Sequence, residues 1–400
     1  MNKKVALLAI AALLLGGLRA GACTTAVISA RASASGRPML WKQRDSDHEW
    51  NHIGYFKGEK YGFTALVNSD GEIPATSIYA GANEVGFAIM NNVSYNLSSN
   101  DYDNPQKNGS TMMEALGVCR TLDDFEAFLK ALPFPYPVES NFGVIDAEGG
   151  AAYFEAGNTG FTRYDVDDTE EGYLCRTNFS LSGREDDGSG YIRSETVTQL
   201  FAEADGKFTP DWCFSVPARS FRHSLTGIDL ADIPDSALGS GLVHDRDYIP
   251  RPSTTACVVI EGVTPDMKCD QSRMWCAVGY TPVTYAIPVF IAAGDNVPEC
   301  FVLDEEHKAP ASRISMELKG IAYPVKRGSG PNYLHYTLLR SRIAPLVAEA
   351  EAEEFRQAAR FLKKCGDNVT PQNAEEFYGK MMKRFERYCD KVHSQMASWQ

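Results

Sequence analysis

Cys23 is the residue of this sequence whose position points most directly to chemistry, because a predicted cleavage site comes immediately before it. If the chain is cut after Ala22, Cys23 becomes residue one and carries a thiol and a free α-amino group together. An α-amine has an ordinary pKa of about 7.7–8.0, so it accepts a thiol proton near neutral pH. The sequence therefore predicts a cysteine nucleophile whose own terminal amine acts as the general base.

Residues 1–22 have the three parts of a secretory signal peptide. Lys3 and Lys4 form a charged start, an apolar run follows over 5–15, and the small residues 20–22 fit the A-x-A pattern of signal cleavage. The apolar run is shorter than the about 20 residues that a membrane-spanning helix needs. We therefore expect an exported protein, periplasmic or extracellular, with no transmembrane span.

The same cysteine has a second interpretation, because a cysteine directly after a signal peptide is also the attachment site of bacterial lipoproteins. Lipid attachment would consume the thiol and acylate the amine, and the protein would then be an anchored binding protein. Ala20 stands at position −3, where lipoprotein signals usually carry leucine. The pattern therefore favours ordinary cleavage, with the lipid-anchored protein as the alternative.

Composition narrows the choice of partner and cofactor. The formal net charge of −13 disfavours binding to the phosphate backbone of nucleic acids, so we expect a small-molecule substrate. The ten cysteines form no C-x-x-C pair and the seven histidines no H-E-x-x-H motif. His48 and His52 stand four residues apart without a third ligand nearby, which is typical of a solvated loop. We expect neither a metal nor a cofactor.

The elements that must position Cys23 can be read from the residue pattern. A β-branched strand begins at Cys23, turn residues follow at 35–38, and a second strand covers 39–45, which predicts a hairpin starting at the nucleophile. Further strands are predicted at 62–67, 76–80 and 85–91, with two more around a turn at 148–150, and a helix is predicted over 111–132. A second group of strands is predicted at 256–260, 274–279 and 285–292, after a loop-rich stretch at 183–252 that contains a helix around 192–204.

The C-terminal part of the chain is charged and helical, over 333–365 and 371–399. We expect a catalytic domain over 23–305 and a helical extension over 306–400 that folds as a hairpin. One face of its last helix carries apolar residues at spacings of three and four, which predicts core or a subunit interface and leaves a homo-oligomer open. These residues are Phe377, Met381, Phe385, Tyr388, Val392, Met396 and Trp399.

Several of these segments resemble a known family when they are taken in order. The sequence opens with Cys-Thr-Thr at 23–25, continues with the strand at 40–45 and Asn-Glu-Val-Gly-Phe-Ala at 83–88, and then has the turn at 145–150 and Thr-Asn-Phe at 177–179. This order resembles the choloylglycine hydrolase and penicillin acylase group of cysteine N-terminal-nucleophile hydrolases. It is also similar to their acyltransferase relatives, such as acyl-CoA:6-aminopenicillanate acyltransferase. The resemblance spans about residues 23–295.

The resemblance implies an α+β fold, a four-layer αββα sandwich with the nucleophile at the start of an inner strand. It also implies an amidase that hydrolyses linear, non-peptide or terminal, amide C–N bonds through a thioester on the cysteine. An acyltransferase is the alternative if an amine replaces water in the second step. A dipeptidase remains open as well, because related dipeptidases share the Cys-Thr-Thr opening.

The resemblance also implies roles for residues other than Cys23. The family has an arginine that sits close to the thiol and, three residues later, an aspartate that accepts a hydrogen bond from the terminal amine. Asp45 matches the aspartate, and either Lys42 or Arg44 matches the cation, depending on the register. For the asparagines that stabilise the oxyanion, Asn178 matches one and either Asn91 or Asn92 the other. Arg251 is only a loose match to a late arginine of the family.

Overall fold

Two antiparallel β-sheets packed face to face form the centre of the molecule. The computed structural model describes residues 22–204 and 206–399, so the predicted signal peptide, apart from Ala22, lies outside the described residues. One sheet has six strands in the order β10-β1-β2-β14-β15-β16, and the other is a meander of seven strands, β3 to β9. The strands of these two sheets are β1 (Thr24–Ile28), β2 (Met39–Asp45), β3 (Asn51–Lys57), β4 (Gly62–Asn68), β5 (Ala80–Asn83), β6 (Ala88–Val93), β7 (Ser140–Ile145), β8 (Ala151–Gly157), β9 (Gly160–Asp165), β10 (Tyr173–Arg176), β14 (Thr254–Glu261), β15 (Arg273–Val278) and β16 (Ile287–Phe290). Short two-stranded ribbons pair β11 (Arg222–His223) with β12 (Ile228–Asp229) and β13 (Leu242–His244) with β17 (Tyr333–His335).

Helices cover the outer face of each sheet. The seven-stranded sheet is covered by α1 (Asn108–Val118) and α2 (Leu122–Lys130), whose apolar side chains share a core with that sheet. The six-stranded sheet is covered by α3 (Tyr191–Ala202), α4 (Pro210–Ser215), α5 (Pro310–Ala322), α6 (Ala344–Cys365) and α7 (Pro371–Met396). The predicted four-layer αββα sandwich is therefore confirmed.

The hairpin predicted at the nucleophile is present. Strand β1 pairs with β2 in a register that joins Thr24 to Gln43 and Ile28 to Met39. Gly36 has a φ of 69° in the connecting turn, a conformation that glycine adopts without steric cost. On its other side β2 pairs with β14, so both strands of the hairpin are central and fully buried. A central position holds the start of β1 rigidly.

The helix predicted over 111–132 is wrong in one respect, because the structure has two helices there. The break falls between α1 and α2, where Thr121 caps the second helix: its side chain accepts a hydrogen bond from Asp124 N, and the Asp124 carboxylate accepts one from the Thr121 backbone N–H. This capping box supplies acceptors for backbone N–H groups at the start of α2. In a continuous helix those N–H groups would bond to carbonyl oxygens of the preceding turn. The apolar spacing that suggested one helix arises because both helices cover the same sheet.

The strand predicted at 76–80 is also wrong, since the strand in this region is β5 at Ala80–Asn83. Strands β3, β9 and β10 were not predicted. Strand β3 contains Gly54, whose missing side chain leaves space for the ring of Phe56, and glycine weakens a strand pattern. Strands β9 and β10 are only partly buried, so they lack the apolar run by which central strands are found.

The C-terminal helices form the predicted hairpin and pack on the six-stranded sheet. Gly366 ends α6 with a φ of 61°, and Thr370 caps α7 with Pro371 in the first turn. Of the apolar stripe on α7, the five residues from Phe377 to Val392 are buried in the main core, and Met396 and Trp399 pack against it. The interpretation of this stripe as core is confirmed. Among the described helices, none is long and apolar enough to cross a membrane.

The two sheets approach each other closely at Gly143 on β7, next to β1. A substitution at Gly143 tests this packing. A Cβ there would lie 2.8 Å from Val27 Cγ2 of β1 and 2.8 Å from Met90 Cε. We expect Gly143→Ala to lower the free energy of unfolding by about 1–3 kcal/mol, because the core must be overpacked or the sheets must separate. Urea denaturation with a common m-value measures this.

Gly160→Ala is the matched control, because a Cβ on this β9 residue would meet nothing within 4 Å. It should leave stability within about 0.5 kcal/mol of the original protein. Equal stabilities for the two variants would contradict the packing described between β1 and β7.

Candidate active site

Cys23 lies directly before β1 and faces the second sheet. Thr25, on the same strand face, accepts hydrogen bonds on Oγ1 from Tyr153 Oη at 2.8 Å and from Asn92 Nδ2 at 2.5 Å, both on the seven-stranded sheet. Because strand side chains alternate, Cys23 points toward the same sheet. Its side chain is buried, with Sγ 4.0 Å from the backbone oxygen of Asp45. The thiol therefore sits at one end of the interface between the two sheets.

Lys42 brings a buried cation to this end of the interface. It lies opposite Thr25 on β2, and its Nζ donates to the backbone oxygens of Tyr79 at 2.9 Å and Asn91 at 2.6 Å, and to Asn91 Oδ1 at 2.9 Å. Burial lowers the pKa of Lys42 to about 8, and negative charge on Cys23 is the largest influence in the opposite direction. Lys42 thus couples electrostatically to the thiol and holds the amide of Asn91.

Arg44 is also buried between the sheets, but its contacts are those of a packing residue. Its guanidinium lies 3.7 Å from the centre of the Tyr79 ring. It donates hydrogen bonds to four side-chain oxygens, those of Asn51, Thr255, Ser46 and Asn68, at 2.6–3.0 Å. With these bonds made, Arg44 has little donor capacity left. Of the two cations that the sequence left open, the contacts favour Lys42 as the one that serves the site.

Asp45 forms an ion pair with Arg251, the residue that the sequence matched only loosely. Its Oδ2 accepts from Arg251 Nε at 2.8 Å, and its Oδ1 accepts from Thr254 Oγ1 at 2.6 Å. Arg251 Nη2 also donates to the backbone oxygen of Ala22 at 3.0 Å. The carboxylate of Asp45 and the carbonyl that precedes Cys23 are therefore held by one guanidinium.

Arg193 on α3 was missed by the sequence analysis, although its contacts reach the nucleophile directly. Its Nη1 donates to the backbone oxygen of Cys23 at 2.7 Å and to Thr24 Oγ1 at 2.8 Å, and its Nη2 donates to Asn178 Oδ1 at 2.8 Å. Burial lowers the pKa of Arg193 to about 9. The spacing in the sequence could have indicated Arg193 as a site residue, because it lies on the same buried helix face as Thr196 and Val197. A cation on a buried face needs a specific partner.

The two asparagines left open on β6 have different surroundings. Asn92 faces the six-stranded sheet, donates to Thr25, and accepts from Asn141 Nδ2 at 2.7 Å. Asn91 accepts from Lys42 and donates from Nδ2 to Ser140 Oγ at 3.0 Å. Both are buried, and their bonds to Thr25 and to Lys42, which lies opposite Thr25, place both near the start of β1. Asn91 is the one bonded to the candidate cation.

His48 and His52, which the sequence raised as possible metal ligands, each contact a different side chain. His48 is exposed and lies 3.1 Å from Asp70 Oδ1, whereas His52 is on β3 and not in a loop, with Nδ1 3.2 Å from Ser69 Oγ. Burial lowers the pKa of His52 to about 4, so it is neutral near pH 7. In the part of the chain that the structure describes, no group of three or more His, Cys, Asp or Glu side chains is placed to hold a metal ion.

A cavity of about 600 Å³ opens next to Ala22, the residue before Cys23. Ala22 and Arg251 form part of its wall, so the cavity reaches the residue that precedes Cys23 and the ion pair of Asp45. The loops after β2, β6 and β10, the segment around β13 and Asn332 before β17 supply the rest of the wall. A small molecule bound in this space would lie next to the start of β1.

Comparison with solved structures finds hydrolases of the group that the sequence motifs indicated. A Caenorhabditis elegans N-acylethanolamine-hydrolyzing acid amidase ortholog matches with a TM-score of 0.39 at 15% identity, covering 63% of this chain and 99% of its own. Penicillin V acylase from Agrobacterium tumefaciens matches with a TM-score of 0.36 at 12% identity, covering 67% and 86%. A variant of conjugated bile acid hydrolase from Clostridium perfringens matches with a TM-score of 0.35 at 8% identity, covering 67% and 92%.

Neither a family model nor a curated relative matches the chain. The identities and TM-scores to the solved structures are low, so the interpretation of the site rests on its own contacts.

The ten cysteines, all within the described residues, are free. The structure contains no disulfide among them. Cys23 is distinguished from the other buried thiols by the charged groups around it, since Lys42, Arg44 and Arg193 all interact with it electrostatically. Burial instead raises the pKa of Cys119 and Cys175 to about 12, which keeps those thiols protonated and unreactive.

The role of Arg193 can be tested with Arg193→Met. We expect kcat/KM for an amide substrate to fall by about 10- to 100-fold, because the backbone of Cys23 and the amide of Asn178 lose their shared donor. Steady-state kinetics measure the change. Arg313→Met, which removes an exposed arginine paired with Asp304, should leave kcat/KM unchanged. An equal effect of both substitutions would contradict a role for Arg193 in positioning Cys23.

Proposed function

We propose that this protein is an exported amidase that hydrolyses linear amide C–N bonds, with Cys23 as the nucleophile once the signal peptide has been removed. One observation carries the proposal. Cys23, which follows the predicted cleavage site, directly precedes a central strand and is surrounded by charged side chains. Arg193 donates to the Cys23 carbonyl oxygen, and Arg251 donates to the Ala22 carbonyl oxygen and pairs with Asp45. Lys42 is buried on the neighbouring strand and interacts with Cys23 electrostatically. A buried cysteine with only a packing role would not require these charges, three of them buried, around it.

Removal of residues 1–22 would leave Cys23 with a free amine next to its own thiol. The amine accepts the thiol proton as Sγ attacks the carbonyl carbon of the substrate, and the carbonyl π electrons move onto oxygen. Collapse of this tetrahedral intermediate breaks the C–N bond, and the ammonium returns the proton to the leaving nitrogen. Water then attacks the thioester with the same amine as base, which releases the carboxylic acid and restores the thiol.

Asp45 is suited to hold the terminal ammonium during these steps. Its carboxylate is fixed by Thr254 and Arg251, and its backbone lies against the thiol. A fixed carboxylate orients the amine and favours its protonated form, which arises after each proton transfer. Arg251 balances the charge of Asp45 while the amine is neutral.

Asn91 and Asn178 are the side-chain amides that we propose as donors to the oxyanion. Each is tied through a cation to the region of Cys23, Asn91 through Lys42 and Asn178 through Arg193. In both pairs the cation binds the amide oxygen, which orients the amide group and polarises its N–H bonds toward a developing negative charge. One preorganised donor of this kind contributes about 3–4 kcal/mol in related acyl-transfer chemistry.

The test is chemical labelling of the protein exported by its own host. Intact mass and N-terminal sequencing establish whether Cys23 is residue one, and peptide mapping after treatment with iodoacetamide establishes whether its thiol is alkylated. The proposal requires a free N-terminal Cys23 and a loss of amide hydrolysis in proportion to its labelling. A diacylglycerol mass on Cys23, or activity that survives complete labelling, would overturn it.

A further inference from the structure

Most of the side chains on the wall of the cavity next to Ala22 are polar, and the charged ones are mainly acidic. Among the described residues that line it there is no valine, leucine, isoleucine, methionine or phenylalanine. The charged side chains on the wall are those of four aspartates and two arginines, so negative charge is in excess. They are Asp47, Asp187, Asp245, Asp247, Arg246 and Arg251. A wall of this composition is poorly suited to a long apolar acyl chain, which gains its binding free energy by burying hydrocarbon.

Asp245 is the exceptional member of this set, because it is 0% exposed and its carboxylate is only half satisfied. Oδ2 accepts a hydrogen bond from the hydroxyl of Tyr323, which also lies 2.9 Å from Tyr280 Oη. Oδ1 is buried and has no hydrogen-bond partner. A buried carboxylate oxygen without a donor is costly, and the residue that carries it lies on the wall of the cavity.

The two cations that influence Asp245 electrostatically are already paired with other carboxylates. Arg251 is bound to Asp45, and Lys319 donates to Glu49 Oε1 at 2.6 Å. Both influence Asp245 only through space, and burial outweighs them, so the pKa of the Asp245 carboxyl is raised to about 7. The negative charge of this carboxylate therefore has no close counterion from the described residues.

We propose that the amide substrate carries a positively charged nitrogen, a protonated amine or a quaternary ammonium, and that this group binds against Asp245. The inference rests on the proposed function, since it concerns the substrate of the same site. A cation in the cavity would lie beside Asp245 and offset the negative charge of its carboxylate, and a direct hydrogen bond to the buried Oδ1 would require the side chain to turn toward the cavity. The amide then lies between this anchor and Cys23, within a cavity whose volume of about 600 Å³ suits a small polar molecule.

Charge selectivity at Cys23 can be measured without any knowledge of the substrate. The processed protein is treated at about pH 8, above the pKa of about 7 of Asp245, with three methanethiosulfonates. These carry a trimethylammonioethyl, a neutral ethyl or a sulfonatoethyl group. Rates at Cys23 are followed by peptide mass and divided by the rates with a small free thiol. We expect the cationic reagent to exceed the anionic one by at least about tenfold after this normalisation.

Asp245→Asn should reduce that ratio severalfold, because it keeps the shape of the side chain and removes its charge. Asp266→Asn, at an exposed aspartate that does not line the cavity, is the matched control and should leave the ratio unchanged. A ratio of about one in the original protein would overturn the inference, and so would an Asp245→Asn variant with the original ratio. The first of these results does not depend on whether the variant folds.

A matched pair of amides separates this inference from the proposed function. The two have the same acyl and amine parts but end in a trimethylammonium or in a tert-butyl group, which are alike in shape and differ in charge. Higher kcat/KM for the cationic amide supports both ideas. Turnover of the neutral amide at an equal or higher rate overturns the cationic anchor and leaves the amidase intact. A retained labelling ratio with no turnover of any amide in a broad panel supports the anchor and counts against the amidase.

Discussion

Replacing Cys23 with alanine is expected to abolish amide hydrolysis, with kcat/KM lower by at least about 10⁴-fold. The alanine variant loses the only atom that forms the thioester, while the fold keeps its other contacts, because Sγ makes a single weak contact with the Asp45 backbone. The processed N-terminus must be verified by mass for each variant, and steady-state kinetics on an amide that the original protein hydrolyses give the result.

Two controls make the result specific to Cys23. Cys269→Ala removes a half-buried thiol outside the site and should retain full activity. Cys23→Ser keeps a weaker nucleophile in place and should fall between the alanine variant and the original protein, with the same thermal stability as both. Activity above about 1% in a correctly processed Cys23→Ala would contradict the mechanism.

Lys42→Met is expected to lower kcat/KM by about 10²- to 10³-fold. The substitution removes the positive charge beside the thiol and leaves the amide oxygen of Asn91 without its donor. Lys42→Arg keeps a positive charge at this position and should retain part of the activity. The matched control is Lys308→Met, because this lysine lies over the ring of Trp50 and makes no contact with Cys23 or Asn91 in the described structure.

The pH profile distinguishes the charge of Lys42 from its role in packing. Its pKa is lowered to about 8, so the cation is present below pH 8 and is lost as the pH rises through that value. We therefore expect kcat/KM to decline above about pH 8 and the decline to move to higher pH in Lys42→Arg, since arginine keeps its proton. An unchanged alkaline limb in Lys42→Arg would show that another group titrates there.

The same shift predicts how stability responds to pH. Between about pH 8 and the ordinary lysine value of 10.5, the unfolded chain holds a proton at Lys42 that the folded protein has released. Stability from this group therefore increases as the pH rises through this range, and the burial penalty is largest below pH 8. Lys42→Arg should remove that increment, as measured by denaturation at several pH values.

Local patterns predicted the surroundings of the nucleophile well. The strands at 24–28 and 39–45, the turn between them and the caps of the last helix depend on neighbouring residues, and sequence spacing captures such signals. The register of the hairpin then brings Lys42 opposite Thr25 and Asp45 next to the thiol. The predicted hairpin is therefore present, and the catalytic roles of Lys42 and Asp45 stay predictions.

The remaining contacts depend on how distant segments meet, which one sequence does not specify. Arg193 lies 170 positions from the carbonyl that it binds, and Arg251 lies 206 positions from Asp45. Asp245 directly follows the short strand β13, and its carboxylate accepts a hydrogen bond from the hydroxyl of Tyr323, which directly follows α5. The strand that carries Asn91 and Asn92 was predicted. Both side chains bond to buried partners, so the alternation of side chains along the strand does not decide which of the two serves the site.

Arg251 donates a hydrogen bond to the backbone oxygen of Ala22, so the chemistry of this site depends on whether the peptide bond between Ala22 and Cys23 is intact. While that link is intact, the nitrogen of Cys23 is an amide that cannot take up a proton, and a guanidinium N–H of Arg251 is occupied by the preceding carbonyl. On the proposed mechanism, the uncut chain is therefore a latent precursor that is folded around its catalytic groups but has no base. A single proteolytic event would supply the amine and vacate Arg251 together, so the protein would become active only where its leader is removed.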